Sequence, residues 1–302
     1  MLAQLHRLGT IAAVARELHL TAPGVSMQLA ALEREVGLTL TERHGRTLTL
    51  TPAGLLLAKH GHDIVDLLSV AELEVAALLE GSAGTYRVAA FPSIARTVLA
   101  DAWQTLLSQP ELGLKLELLE AEPEVSLPAL VAGEVDLALT HSYSTMAAPS
   151  ATDCVVTRIL TEPVWLAVPR GTAAGTQNLE DFSGHDWVVP HAAWSCHEMV
   201  QRACGVAGFA PRSVAEATDF SVIVALVGAG AGVALVPELT VGQLPDSVTL
   251  HPLENPVYRH DFVVVRHSLK ADPGIRRLHD LFAAAAGSVA IRGLPANSVA
   301  SE

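Results

Sequence analysis

GTIAAVARELHLTAPGVSMQLAALEREVGLTLTERHGRTLTLTPAG, residues 9–54, decides the reading of this chain. Thr10 precedes a run, 11–18, whose apolar residues Ile11, Val14, Ala15 and Leu18 recur at helical spacing. Its hydroxyl is placed to satisfy an orphan N–H of the first turn. His19-Leu20-Thr21 break the pattern. Thr21 and Pro23 then open a second helix, the threonine as its cap and the proline in the first turn, where a missing N–H costs nothing. Gly37 ends that helix. Val25, Leu29, Leu32 and Val36 form one apolar stripe, and Ser26, Gln28 and Arg34 face the other way. Two short helices joined by a tight turn, the second starting with small residues, fit a DNA major groove, because the helix backbone must come close to the bases. Ser26 and Gln28 offer groups that reach base edges or phosphates. Residues 38–50 read as a two-stranded hairpin with the cationic tip Arg43-His44-Gly45-Arg46, a wing suited to phosphates or a narrow minor groove. A generic small helical domain with a solvated charged turn fits the same spacing.

Working outward, the 302 residues allow about two domains. With 50% hydrophobic and 17% charged residues, disorder over most of the chain is excluded. The apolar run 222–237 contains Gly228, Gly230 and Gly232 and is shorter than the roughly 20 residues of a membrane span, so it reads as buried core. Arg7, Arg16 and Glu17 sit where a secretion signal holds apolar residues, which points to the cytoplasm and to no membrane partner. Cys154, Cys196 and Cys204 make no disulfide framework. The net charge of −13 is unevenly spread. Residues 1–60 hold six basic and four acidic side chains, and the remainder holds 13 and 28. A mildly basic head and a large acidic body imply two jobs. His6, His19, His44 and His60 add charge to the head below about pH 6.5.

Residues 9–54 resemble the winged helix–turn–helix of LysR-type transcriptional regulators. The likeness rests on Gly9-Thr10, Thr21-x-Pro23, Val25-Ser26, Leu32-Glu33, Gly37, Arg43 and Leu50-Thr51-Pro52-Ala53-Gly54. Two residues depart from the family pattern. Ala22 stands in place of a glutamine and removes a base contact, and Thr41 stands in place of a phenylalanine that anchors the wing. The first helix reads as residues 1–8, short for the family. The resemblance implies operator DNA as a partner, met by Thr10, Thr21, Ala22, Pro23, Ser26, Gln28, Arg34, Arg43 and Arg46. Residues 52–80 read as a long helix in which Leu57, Ile64, Ala71 and Leu78 recur every seven residues, with Leu68 and Val75 between them. That seam predicts a homodimer or homotetramer, as in the family, although an amphipathic helix lying on a core has the same pattern. Residues 80–85 read as a hinge.

From Tyr86 onward strands and helices alternate. Strands are expected at 86–90, 114–119, 135–140, 164–168, 187–189, 213–217, 233–236, 248–253 and 262–266. Helices are expected at 91–107, 127–132, 195–207, 221–227 and 273–285, with a disordered tail from 287. Such alternation implies parallel sheet covered by helices, in two lobes joined by crossing strands. Ligands of open α/β sheets bind beyond the strand ends, where helix N-termini point. Thr218-Asp219 and residues 226–237 are similar to the two-lobed, periplasmic-binding-protein-like effector domain of the same family. Ser93, Ile94, His141, Ser142, Trp194, Ser195 and Thr218 are the candidate contacts of an unidentified small-molecule effector. Helix capping by Ser93 and Ser195, and core packing of Trp194, are the plainer roles.

His197-Glu198-Met199-Val200-Gln201 begins like a zinc-protease motif but lacks the second histidine. The sequence has no nucleophile elbow, P-loop or dinucleotide fingerprint. No catalytic set, metal or cofactor is therefore expected. Peroxide-sensing members of the family use two cysteines in the region of Cys196 and Cys204. In a continuous helix these would lie about 12 Å apart along the axis, beyond the roughly 7 Å a disulfide spans, so pairing requires the helix to melt. The expected class is α/β: a winged head (1–54), a linker helix and hinge (55–84), a two-lobed effector domain (85–286) and a tail (287–302). The expected function is transcription regulation. A solute-binding protein or a thiol-redox sensor using Cys196 and Cys204 is the alternative.

Overall fold

The computed structural model describes residues 1–44, 47–80, 84–151, 153–242 and 244–292. Two units result, Met1–Leu79 and Glu80–Glu302. Arg46, Gly81–Ala83 of the expected hinge and residues 293–302 of the expected tail lie outside the described residues.

In the first unit, helices α1 (Leu2–Leu8), α2 (Ile11–Glu17) and α3 (Ala22–Val36) precede a hairpin of β1 (Thr41–His44) and β2 (Thr47–Leu50) and the long α4 (Pro52–Glu80). Leu2, Leu5, Val14, Ala15, Val25, Leu29, Leu40 and Ala58 form its core. The expected caps are present. Thr10 accepts a hydrogen bond from the Ala13 N–H at 3.2 Å, and Thr21 one from the Gly24 N–H at 3.2 Å. Gly37 ends α3 in the left-handed region, φ 74°.

The hairpin is bound to α3 through one carboxylate. Glu33 Oε1 accepts the N–H groups of Leu40 (2.8 Å) and Thr41 (2.9 Å) and the Thr41 hydroxyl (3.1 Å). Partial burial pushes the Glu33 carboxyl up, but these bonds outweigh it and hold it below the usual range. Thr41, the departure noted in the wing, thus replaces an apolar anchor by a polar one. After β2, Thr51 donates its hydroxyl to the Thr39 carbonyl (2.8 Å) and accepts from the Gly54 N–H (3.1 Å). A Cβ on Gly54 would sit 2.0 Å from the Leu40 carbonyl oxygen, so only glycine lets α4 start there.

The second unit is built on a seven-stranded sheet of order β10-β6-β11-β5-β3-β4, with β9 also on β6. In chain order its elements are β3 (Gly84–Ala90), α5 (Pro92–Ile94), a π-helical turn (Ala95–Leu99), α6 (Ala100–Ser108), β4 (Leu114–Glu120), α7 (Pro123–Val131), β5 (Leu137–Tyr143) and β6 (Cys154–Pro169). Then follow β7 (Asp186–Pro190), α8 (Ser195–Val206), β8 (Arg212–Ala217), α9 (Phe220–Gly228), β9 (Ala234–Pro237), β10 (Val248–His251), β11 (Val257–Arg266) and α10 (Pro273–Arg292). Strands β3, β4 and β5 are parallel and make the first lobe. Strands β7 and β8 are parallel in the second lobe. They join β9 through Val188, whose N–H donates to the Val233 carbonyl at 2.9 Å. Gly232 is required at this junction, because a Cβ there would lie 2.4 Å from the Asp186 carbonyl oxygen.

Four expectations are corrected. The large sheet is mixed, because β6 runs antiparallel to β11, β10 and β9, and β11 antiparallel to β5. Strand β6 begins ten residues before the expected 164, and α7 begins at Pro123, with Pro128 inside it. Helix α10 continues to Arg292, through the first residues of the expected tail. The long strands β6 and β11 are the crossing strands shared by both lobes. No helix among the described residues is long and apolar enough to cross a membrane.

Gly54→Ala is expected to destabilise the first unit by roughly 1–3 kcal/mol, the cost of forcing an atom into a packed contact. Gly61→Ala is the control: its Cβ meets Ala3 at an ordinary 3.6 Å inside α4, and a gain of about 0.5–1 kcal/mol is expected. Denaturant midpoints by circular dichroism should move in opposite directions.

Candidate functional site

Two surfaces carry the sequence-predicted residues, one in each unit. On α3 the side chains of Ala22, Pro23, Ser26, Gln28 and Arg34 are exposed, and Met27 beside them is 71% exposed. The buried stripe Val25 and Leu29 fixes which side faces out. Thr10 and Thr21 are exposed too, but their hydroxyls are engaged as caps. The Arg34 Nε donates to the Ala30 carbonyl at 3.2 Å. Arg43 pairs with Leu48 across the hairpin. Along α4, Ile64, Leu68 and Ala71 are exposed, and Leu57 packs against the head core. The side chains of Val75 and Leu78 lie outside the described part. Leu55, Leu56, Val65 and Leu67 add further exposed apolar side chains along the described part of this helix.

In the second unit a cleft of about 490 Å³ opens between the lobes. Its walls include Pro92, Arg96, Glu120, Glu122, Val125, Trp194, Thr218 and Asp219. A smaller chamber of about 20 Å³ continues inward past Phe91, Ser93, His141, Cys196, Thr240 and Arg259. Strand β3 ends at Ala90, just before Phe91, and β5 carries His141, so both reach the cleft at their carboxyl ends, as open α/β sheets require.

A buried charge cluster closes the inner end. Arg259 is 1% exposed, Glu162 3% and Asp261 0%. The Arg259 guanidinium donates to Glu162 Oε1 (2.6 Å from Nε) and to the Ser93 hydroxyl (2.9 Å), and lies 4.9 Å from the Phe91 ring centre. The other Glu162 oxygen accepts the Leu239 N–H at 2.5 Å. Burial works against the Arg259 charge, but Glu162 and then Asp261 outweigh it and keep the guanidinium protonated. Burial pushes the Asp261 carboxyl well up, with Arg259 acting the other way. At the chamber wall His141 Nε2 lies 3.2 Å from Glu122 Oε2, while its Nδ1 is buried without a partner. Burial lowers the His141 pKa, with the Glu122 hydrogen bond acting the other way.

The cleft gathers Ser93, His141, Trp194 and Thr218 of the candidate effector contacts. Ser195 lies at its edge as the first residue of α8, its N–H donating to Glu124 Oε1 at 2.6 Å. Ile94 is fully buried and Ser142 faces His260 of β11; neither lines the cleft. Sequence reasoning missed Arg96, Glu122, Glu162, Arg259 and Asp261. The signal available was Arg259 and Asp261 two apart, on one face of a strand that continues as the apolar run Phe262–Val265. Cys196 and Cys204 are both buried free thiols on α8. Burial pushes both thiols up, Cys204 to about 12, which works against the thiolate that attacks peroxide.

The family described as LysR substrate binding domain matches residues 79–287, and the one described as bacterial regulatory helix-turn-helix protein, lysR family, matches residues 1–55. Among curated relatives, the transcriptional dual regulator GltC of Bacillus subtilis is 26% identical over 246 residues, 80% of each chain. The HTH-type transcriptional regulator ClcR of Pseudomonas putida is 27% identical over 270 residues, 84% of this chain and 89% of ClcR. Among solved structures, a full-length OxyR variant from Pseudomonas aeruginosa superposes with a TM-score of 0.66 at 18% identity, covering 94% of this chain and 92% of that one. At that identity the likeness shows the fold alone.

The Asp261 proton gives a pH prediction. A carboxyl whose folded pKa is raised stabilises the fold fully below its unfolded value, near 4, and loses that contribution as pH rises toward the folded value. Asp261→Asn should therefore match the native chain near pH 4 and become progressively more stable than it toward pH 8. Equal melting-temperature differences at both ends of that range would show Asp261 to be ionised in the fold.

Proposed function

Since this chain belongs to the LysR family of transcriptional regulators, we propose that its exposed α3 surface around Ser26 and Gln28 reads operator DNA and that the inter-lobe cleft holds the effector. The observation that carries the DNA assignment is the outward face of α3, with its small first residues Ala22 and Pro23 uncovered. A helix can seat against base edges there without a bulky side chain holding it off.

The uncovered apolar side of α4, with Ile64 and Leu68 at 60% and 59% exposure, supports a second copy of the chain as partner. Pairing presents two heads to two half-sites, which a palindromic operator repeats about 34–36 Å apart. An effector acts by binding one arrangement of lobes and paired chains more tightly than another, since that difference is all a ligand has to shift an equilibrium. This is a binding function, without a catalytic step, and the cytoplasm is the compartment that fits it. The buried thiols of α8 give no support to redox sensing.

The test is DNA binding measured by fluorescence anisotropy, with the upstream DNA of its own gene and a random duplex. Gln28→Ala should lower the preference for the operator by roughly 5- to 150-fold, the worth of one good base contact, and leave random-duplex binding unchanged. Equal loss on both duplexes would remove direct readout by Gln28. The double variant Ile64→Asp with Leu68→Asp should sediment as a monomer and lose operator affinity. If it sediments like the native chain, α4 is not the seam.

A further inference from the structure

We propose that the effector of the inter-lobe cleft is a small cation, carrying an ammonium group that enters the inner chamber between Glu122 and His141, with an apolar remainder against Val125 and Trp194. The proposal rests on the cleft being the effector site and names the chemistry of what it takes.

Three observations combine. The first is the charge of the walls. Glu120, Glu122 and Asp219 line the outer cleft against Arg96 alone, and the buried Arg259 charge is already matched by Glu162. The Arg96 guanidinium is engaged with the Thr240 carbonyl at 3.2 Å. The second is that the starts of α8 and α9, two of the helix N-termini at the cleft and the usual kind of seat for an anion, are taken by carboxylates of the protein. Glu124 accepts from the Ser195 N–H at the start of α8, and Asp219 accepts from the Ser221 N–H at the start of α9 (2.7 Å). An anionic effector would have to displace them.

The third observation is independent of charge. The His141 side chain is 2% exposed and borders the inner chamber, and its Nδ1 has no hydrogen-bond partner. Glu122 faces Nε2, and a carboxylate only accepts, so the ring proton sits on Nε2 and Nδ1 is left as a lone pair. Burial keeps the ring from taking a second proton. An atom of that kind accepts from an N–H and repels a carboxylate. The chamber, about 20 Å³, has room for one group the size of a water or an ammonium. Trp194 at the outer wall offers a ring face and an apolar edge to the rest of the molecule.

The experiment is thermal-shift and calorimetric titration of the full chain with matched probes: butylamine, putrescine and benzylamine against butanoate, succinate and benzoate. The amines should raise the melting temperature and the carboxylates should not. Glu122→Gln, and separately the exposed Glu120→Gln, should weaken amine binding at least tenfold, and Thr218→Trp at the mouth should abolish it. A shift from the carboxylates alone that Thr218→Trp removes would overturn the cationic class and leave the cleft as the site. A probe that stabilises the native chain and Thr218→Trp equally would overturn both. No shift with any amine overturns the proposal.

Discussion

The second unit depends on a buried ion pair at the point where its two lobes share strands. Arg259 of β11 and Glu162 of β6 are each almost fully enclosed, and neither charge could stay there alone. Their partners come from both lobes: Ser93 and Phe91 from the start of the first helical segment, and the Leu239 N–H from beyond β9. Removing one member of such a pair costs about 3–5 kcal/mol, because the other is left uncompensated. Asp261, the third member of the cluster, lies 3.4 Å from the Arg259 Nε, and burial pushes its carboxyl up. The pair fixes the closed end of the cleft, and ligand-dependent change is left to the walls.

The head solves a different problem with weaker bonds. It is too small for a large core, so α2 and α3 are held by end effects: the Thr10 cap on α2, the Thr21 cap and left-handed Gly37 on α3, and the Glu33 carboxylate. Each cap is worth about 1 kcal/mol. Glu33 combines three hydrogen bonds on one oxygen and ties the hairpin to α3. Gly54 then brings α4 against the Leu40 backbone, closer than any other residue allows. The residues that position α3 are therefore not Ser26 and Gln28, which stay exposed on its outer side.

That division explains what could be read from sequence. Caps, a first-turn proline and a terminal glycine are local signals, so α2, α3 and the start of α4 were legible to within a residue. The lobes were legible as alternating strands and helices, but their pairing was not. Strand β6 carries Thr157, Arg158, Thr161, Glu162 and Pro163 before its apolar half, and reads as a loop. It is a strand because β11 pairs with it along Cys154–Val164, while β9 joins only from Val164, so the missing N–H of Pro163 leaves no ladder bond unmade on that side. The wall of the cleft was half legible. Ser93, His141, Trp194 and Thr218 follow from strand and helix ends, whereas Arg259 and Glu162 are brought together by strand register, which a single sequence does not display.

Polar groups left unpaired around the cleft make it able to respond. His141 Nδ1, Trp194 Nε1 and Ser195 Oγ are buried without partners among the described residues. Each such group costs roughly 1–3 kcal/mol, which the fold carries on the strength of the strands behind it. A ligand that satisfies even one of them recovers that energy only in the lobe arrangement that brings the group within reach. Differential stabilisation of this size matches the 1–3 kcal/mol typical of coupling between two sites. Fully satisfied walls would bind with little preference between arrangements.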